Sequence, residues 1–440
     1  MKKGVSIVPS KEGHRHWQGH CDDQEAIPCQ RASISAKPHD RSPANERRTL
    51  SHPHLITLTF TAPMSYHLSR LNLMHFRNHH EVEVALGPEV NCFVGPNGVG
   101  KTNLLDAVHY LSMAKSYFDP VDLHNILHGE TLFMVQGAMQ TAAGEDNVLC
   151  SVRQGQRKIL SRNRKEYDRL ADHVGRFPVV MITPYDGQLV LDGSEVRRKF
   201  LDGLIAQFDR GYLEALMRYN RSLTQRNAML KQFAERGNGS LDELAPWDEQ
   251  LIANGTHVHQ VREAFMGEMV PLLEQHYQGI SAGPEKVALQ YKSAVGEVPM
   301  AELLAQAWPR DRSAQYTTQG VHKDDLVFTI DDQPLKRYGS QGQQKTYLIA
   351  LKLAQFDLTQ ARSGIRPILL LDDIFDKIDP QRMRHLLQLM RDQRFGQVLV
   401  TDTDATRLHR AMDGLDLDVR FFHLTHDKKI TSEKVERTVA

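Results

Sequence analysis

Cysteine is scarce: four residues among 440 (Cys21, Cys29, Cys92 and Cys150), with no regular spacing. A disulfide framework is not indicated, and a reduced, cytoplasmic setting is the simplest expectation. Long apolar runs are missing as well. No stretch of about 18 apolar residues occurs, so no membrane span is expected. No apolar segment near the N-terminus reads as a secretory signal. A surplus of charge of one sign is also absent: 54 Lys plus Arg face 54 Asp plus Glu. This argues against a generally basic, histone-like nucleic-acid binder and leaves a local basic groove open. The remainder, 40% hydrophobic and 25% charged, is an ordinary globular mixture long enough for two or more domains.

Residues 1–63 differ from the rest. They are rich in His, Arg, Ser and Pro and have almost no periodic apolar pattern. His14, His16, His20, Cys21 and Cys29 are candidate metal ligands, but their spacing fits no zinc pattern. A disordered extension is expected there, and "MSYHLSRLNLMHF" at Met64 reads like a natural start.

From Met64 the pattern changes. "HLSRLNLMHF" and "EVEVAL" alternate like strands joined by "RNHH". "VNCFVG" reads as a buried strand, and "TNLLDAVHYLSMA" has helical spacing at Leu104, Leu105, Val108 and Leu111. Strands are expected near 132–136, 148–152 and 179–182. Between Gln188 and Tyr277 the spacing is helical, with apolar residues such as Leu201, Leu204, Phe208, Tyr219 and Leu230 predicting an amphipathic helix or helical pair. A break at "ERGNGSLDELAP" precedes a second helical piece from about Trp247. Strand and helix then alternate to the end. This predicts one α/β domain over 64–185 and 283–440, with a parallel or mixed sheet, interrupted by a helical insertion at 186–282.

Three stretches carry chemistry. "GPNGVGKT" (Gly95, Pro96, Asn97, Gly98, Val99, Gly100, Lys101, Thr102) lies between a strand and a helix and fits G-x-x-x-x-G-K-[ST]. Its backbone N–H groups can wrap phosphate oxygens, with Lys101 as a point charge and Thr102 as a Mg²⁺ ligand. "PILLLDDIFDKID" puts Asp372 and Asp373 at the tip of an apolar strand. There Asp372 suits Mg²⁺ and Asp373 suits orienting or activating a water; the plainer use is to start a loop or cap a helix. In "RYGSQGQQKTYLIALKLAQ", Ser340 sits at an N-cap and Gln341 to Gln344 form a first turn. Free N–H groups plus a hydroxyl make an anion site, although an ordinary N-cap is the commoner use. A complete phosphate cradle already exists about 240 residues earlier. A second one therefore suggests contact with a nucleotide held by another copy.

Taken together with "LNLMHFRNH", "DGSEVRRKFLD", "YNRSLTQRNAMLK" and "GVHKDDL", these motifs resemble the ABC-type ATPase heads of the SMC/Rad50 group, and among them the RecF family. The likeness runs from Met64 to near the C-terminus. It implies a P-loop ABC-type head, a mixed sheet flanked by helices, with an inserted helical lid. It places Gly95 to Asn103 on the Walker A loop, Asp372 and Asp373 on Walker B, and Ser340, Gln341, Gly342 and Gln343 on the signature that touches the partner subunit's γ-phosphate. Asp379 falls on the D-loop and Thr401 on the switch position, where transporters carry His. Arg77 matches a phosphate contact of related heads or, equally, a hairpin-turn residue. The cofactors implied are ATP and Mg²⁺. The implied function is a weak, DNA-stimulated ATPase switch of replication and recombinational repair that dimerises on DNA, whether single-stranded, gapped or duplex, and works with RecO/RecR-type mediators and no membrane. Candidate DNA contacts are Arg162, Arg164, Lys165, Arg197, Arg198, Lys199, Arg218, Arg221 and Arg226; solvated helix faces are the plainer reading of each. The competing classes are a transporter ATPase subunit, an SMC-like tether and a P-loop small-molecule kinase.

Overall fold

The computed structural model describes residues 64–434, apart from 282–283, 376–379, 393–394, 414–415 and 428. The readings made for residues 1–63 and for Asp379 lie outside the described residues. Residues 60–440 cluster as one unit.

The chain begins with a hairpin, β1 (His67–Phe76) and β2 (His79–Ala85), closed by Arg77 and Asn78. A register shift between Leu68 and Arg70 lets Leu68 and Leu71 face the same core despite their odd spacing. Next come β3 (Val90–Val94) and α1 (Lys101–Met113), then β4 (Leu132–Thr141), β5 (Gly144–Arg153), β6 (Ile159–Arg162), β7 (Lys165–Glu166) and β8 (Val179–Ile182). The helical middle holds α2 (Gln188–Leu191), α3 (Ser194–Ile205), α4 (Arg210–Arg236) and α5 (Ala245–Ile280). After it run β9 (Val287–Lys292), α6 (Met300–Ala314), β10 (Asp325–Ile330), β11 (Gln333–Pro334), α7 (Leu335–Tyr338) and α8 (Gln341–Ser363). The chain closes with β12 (Ile368–Asp372), α9 (Pro380–Arg391), β13 (Val398–Asp402), α10 (Ala405–Met412), β14 (Val419–Leu424) and β15 (Ile430–Lys434).

The central sheet has the order β15-β14-β3-β13-β12-β8, parallel except for β15. β3, β12 and β13 are mostly apolar and buried along their whole length because both faces of the sheet are covered. Ile368, Leu370, Leu399 and Phe422 face a core shared with α1 and the antiparallel sheet β2-β1-β4-β5-β6-β7. Leu369, Leu371, Val400 and Phe421 face a second core shared with α3, α5 and α8. Helix α1 is therefore packed between two sheets, which is why eleven of its residues, Lys101 among them, are buried.

The stretch from Val196 to Phe233, read as an amphipathic helix or helical pair, is a pair, α3 and α4, separated at Asp209, the N-cap of α4. One expectation changes. β9 and β10 do not join the parallel sheet; with β11 they form a separate antiparallel one. Their alternation, with Val287, Leu289, Leu326, Phe328 and Ile330 buried and the residues between them more open, is that of a sheet covered on one face.

The core of this fold also holds neutral imidazoles. Burial pushes the His109 imidazole down to about 3, helped by Lys115 and Lys352 and opposed by the Lys115 carbonyl that Nδ1 contacts at 3.1 Å. The unfolded chain takes up this proton near pH 6.5 and the folded chain does not, so stability is full above pH 6.5 and falls as pH drops below it. Glutamine cannot take up the proton. The stability gap between wild type and His109→Gln should therefore shrink by on the order of 2 kcal/mol between pH 7 and pH 5. Urea unfolding at the two pH values checks this, and a pH-independent gap contradicts it.

Candidate nucleotide-binding site

The loop between β3 and α1 depends on glycine at its two ends. Gly95 has φ 155°, and a Cβ there would lie 2.3 Å from the Leu424 carbonyl oxygen in β14. Gly100 has φ 108°, and a Cβ would lie 2.5 Å from His79 Nε2. No side chain caps α1, and its first turn holds no acidic residue. The positive end of the helix thus faces the loop with its N–H groups uncommitted to any cap, the condition for holding an anion. Lys101 folds back over the loop, donating to the Gly95 carbonyl at 2.8 Å and to the Pro96 carbonyl at 3.0 Å. Burial lowers the pKa of its ammonium, while Asp373, Asp372 and Asp402 pull it back up. Asp402 also ties the loop to β13: its carbonyl accepts from Gly95 N–H at 3.3 Å, and its carboxylate is gripped by Arg407 at 2.7 and 3.1 Å.

The carboxylates meet the loop from β12. Asp372 Oδ1 accepts from Thr102 Oγ1 and from Thr401 Oγ1, each at 2.8 Å. Thr401 in turn accepts from the Asp373 N–H at 2.9 Å. The β12–β13 register, which sets Asp372 opposite Thr401, makes this relay. Burial raises the Asp372 carboxyl, with Thr401 and Thr102 opposing. Asp373 has φ 51°, and its Oδ1 is buried without a hydrogen-bond partner. Left-handed backbone at a non-glycine residue beside an orphaned acceptor is the strain that functional sites retain. A hydroxyl and a carboxylate in contact, with a second carboxylate alongside, form an all-oxygen donor set that fits Mg²⁺.

The Ser340–Gln343 turn lies apart from that cluster. Ser340 Oγ caps α8 by accepting from Gln343 N–H at 3.2 Å, and Gln343 Oε1 accepts from Ser340 N–H at 2.8 Å. Gln343 Nε2 reaches Glu285 at 3.1 Å, and Arg382 holds the Gly342 carbonyl at 2.9 Å. Among the described residues, no hydrogen bond or ion pair joins this turn to Gly95–Asn103.

Arg77 is not on the loop either. Its guanidinium donates to Asp106 at 3.2 Å and Ser116 at 3.0 Å, and its φ of 56° is that of a hairpin-turn residue. Its neighbours reach the loop instead, which sequence reading missed. Asn78 Nδ2 donates to the Gly98 carbonyl at 3.2 Å, His79 Nε2 lies 3.1 Å from the Gly100 carbonyl, and Asn103 donates to Asn78 at 2.8 Å. Among the candidate DNA contacts, Arg226 is a correction. It is fully buried and paired with Asp248 and Asp311 at 2.6 Å each, so it cannot reach a phosphate. Arg197 is held by Asp325 and Arg162 by Asp146. Arg198 donates to the Asp324 carbonyl and Lys199 pairs with Glu195. Arg164, Lys165, Arg218 and Arg221 are exposed.

A parallel sheet with a glycine loop opening from β3 onto α1, two carboxylates at the tip of β12, the next strand but one, and a flanking antiparallel sheet define an ABC-type ATPase head. More narrowly, the chain belongs to the RecF family of DNA replication and repair proteins. It matches the RecF/RecN/SMC N terminal domain family over residues 67–426. It is 42% identical to the DNA replication and repair protein RecF of Flavobacterium johnsoniae over 358 residues, 81% of this chain and 100% of that protein. With RecF of Phocaeicola vulgatus it shares 43% over 371 residues, 83% of this chain and 98% of that protein. The solved recombination mediator protein RecF-ATPrS in the RecFOR pathway aligns with TM-score 0.76 at 26% identity, covering 84% of this chain and 99% of that one. An Smc head domain from Pyrococcus furiosus shares the fold alone, with TM-score 0.50 at 14% identity. The family decides for replication and repair over the transporter, tether and kinase classes. Among the described residues, no helix is long and apolar enough to cross a membrane.

Proposed function

We propose that the chain binds Mg²⁺-ATP at Gly95–Asn103 and closes on a second copy of itself over DNA. Residues 64–185 and 283–440 would serve as the head and 186–282 as the lid. The solved RecF structures with ATP and ATPrS support the nucleotide. Thr102 and Asp372 would hold the cation, which neutralises phosphate charge. Lys101 would leave the Gly95 and Pro96 carbonyls for the β/γ phosphates. Asp373, with its unpartnered oxygen, would orient the attacking water, and Thr401 would hold Asp373 and Asp372 in step. Hydrolysis would be slow and serve as a release switch. Gapped or junction DNA and RecO/RecR-type mediators are the partners this reading implies.

One observation carries the shared-site part: a capped helix mouth, exposed at Ser340 and Gln341, that among the described residues has no hydrogen bond or ion pair to its own chain's phosphate loop. As an anion site, rather than a plain cap of α8, such a mouth needs another molecule to bring the phosphate. The test uses Asp373→Asn, because asparagine tolerates the left-handed backbone as aspartate does and keeps the shape while losing the base. Light scattering should show one chain of 50.1 kDa without nucleotide and two with Mg²⁺-ATP. Adding Ser340→Arg should return the mass to one chain while ATP stays bound. A monomer with ATP demonstrably bound defeats the shared-site reading.

A further inference from the structure

We propose that His75, His80 and Glu130 form a site for a borderline divalent transition-metal ion, Zn²⁺ in first place, beside the nucleotide loop and separate from the Mg²⁺ position. The three residues come from three places in the chain: the end of β1, the start of β2 and the turn before β4. Their ligand atoms all lie within 4.8 Å of one another. Glu130 Oε2 is 3.4 Å from His75 Nδ1, and that nitrogen is buried without a hydrogen-bond partner. The His75 and His80 rings stand at 89° with centroids 6.4 Å apart, as two imidazoles aimed at one point can. A tetrahedral Zn²⁺ with bonds of about 2.1 Å sets its ligands roughly 3.4 Å apart. The widest pair must therefore close by at most about 1.4 Å, within reach of side-chain rotation for an exposed His80 and a partly exposed Glu130.

The backbone holds this arrangement before any ion arrives. Leu127 N–H donates to the His75 carbonyl at 2.9 Å, and Glu130 N–H donates to the Leu127 carbonyl at 3.0 Å. Phe76 bridges Ile126 on one side and pairs with His79 on the other. His75 has φ 50°, an unusual conformation at the end of a strand. Two imidazoles and one carboxylate suit Zn²⁺, Co²⁺ or Ni²⁺; Mg²⁺ prefers oxygen alone, so nucleotide-bound Mg²⁺ is no competitor. Three protein ligands leave a fourth position open to water. Between His75 and His80 lie Asn78 and His79, which touch the Gly98 and Gly100 carbonyls. A bound ion would therefore steady the turn that supports the phosphate loop.

The experiment is a Co²⁺ titration of the untagged, full-length, nucleotide-free chain, followed by its visible spectrum and by Zn²⁺ displacement. About one equivalent should bind with tetrahedral d–d bands and be displaced by Zn²⁺. His80→Asn and Glu130→Gln, both at solvent-accessible positions, should each weaken binding by at least about tenfold. The double variant Cys21→Ser, Cys29→Ser should leave it unchanged. No Co²⁺ uptake overturns the proposal. So does uptake lost in the cysteine variant but kept in His80→Asn and Glu130→Gln, which would assign the ion to the N-terminal segment.

Discussion

Replacing Arg262 with alanine should lower the unfolding free energy by about 3–5 kcal/mol, the cost of breaking a buried ion pair from one side. Arg262 lies in α5 and is almost fully buried. Its Nη1 donates to Asp324 at 2.7 Å and to the Val321 carbonyl at 2.9 Å, and its Nη2 to Asp202 at 2.8 Å. Its Nε donates to the Tyr212 hydroxyl at 3.1 Å. One guanidinium thus ties α5 to α3, to α4 and to the loop before β10. Alanine would leave Asp324 charged with no cation, in a place where burial already raises its carboxyl. Set against a typical total of about 5–15 kcal/mol, that is a large fraction. Arg362 supplies the control. It pairs with Glu268, but their side chains are 42% and 46% exposed. Arg362→Ala should cost less than about 1 kcal/mol. Asp324→Asn should be costly in the wild type and cost little or nothing in the Arg262→Ala background, because it removes the stranded charge. Urea unfolding of the four variants decides. Equal losses for the two arginines would show that burial does not set the energy of these pairs.

What could be read from the sequence divides by how local the signal is. The phosphate loop, the apolar strand ending at Asp372 and the cap at Ser340 each fit within a few residues. Each rests on a backbone need: positive φ at Gly95 and Gly100, two covered faces for Ile368–Asp372, and an oxygen ahead of a helix. Arg226 was also legible, and the charge misled. Tyr219, Ser222, Arg226, Leu230 and Phe233 fall at steps of three and four along α4, which places the arginine on the buried stripe. Asn78 and His79 could not be seen. They meet the loop only because the β1–β2 hairpin packs beside it, twenty residues away in sequence. The hydroxyl of Thr401 matters only through the register that sets it opposite Asp372. Pairing of that kind is decided by the whole sheet.

Asp372→Asn should separate stability from function at one atom. The Asp372 carboxyl is raised by burial, with Asp373 adding to the rise and Lys101 opposing it. A carboxyl whose folded pKa lies above its unfolded value, about 3.9, burdens the folded state at all higher pH, and the burden lifts as pH falls. Asparagine is the same size and never carries that charge. Its amide oxygen can still accept from Thr102 and Thr401. In EDTA at pH 8 the variant should melt at the same temperature as the wild type or higher. Asp372→Ala should melt lower, because it strands two hydroxyls, at about 1–3 kcal/mol for each one left buried and unpaired. Function should move the other way. A neutral oxygen is a far weaker ligand for Mg²⁺, so ATP turnover should fall by at least about 100-fold, and ATP affinity should cease to depend on Mg²⁺. The two readouts fail separately. An asparagine variant that melts well below the wild type would mean that Asp372 is held as a structural carboxylate. One that keeps its Mg²⁺ dependence would move the cation to Asp373. The pairing of equal or better stability with lost Mg²⁺-dependent activity follows if the buried charge is kept for the metal, because a carboxylate kept for structure would lose stability when its charge is removed.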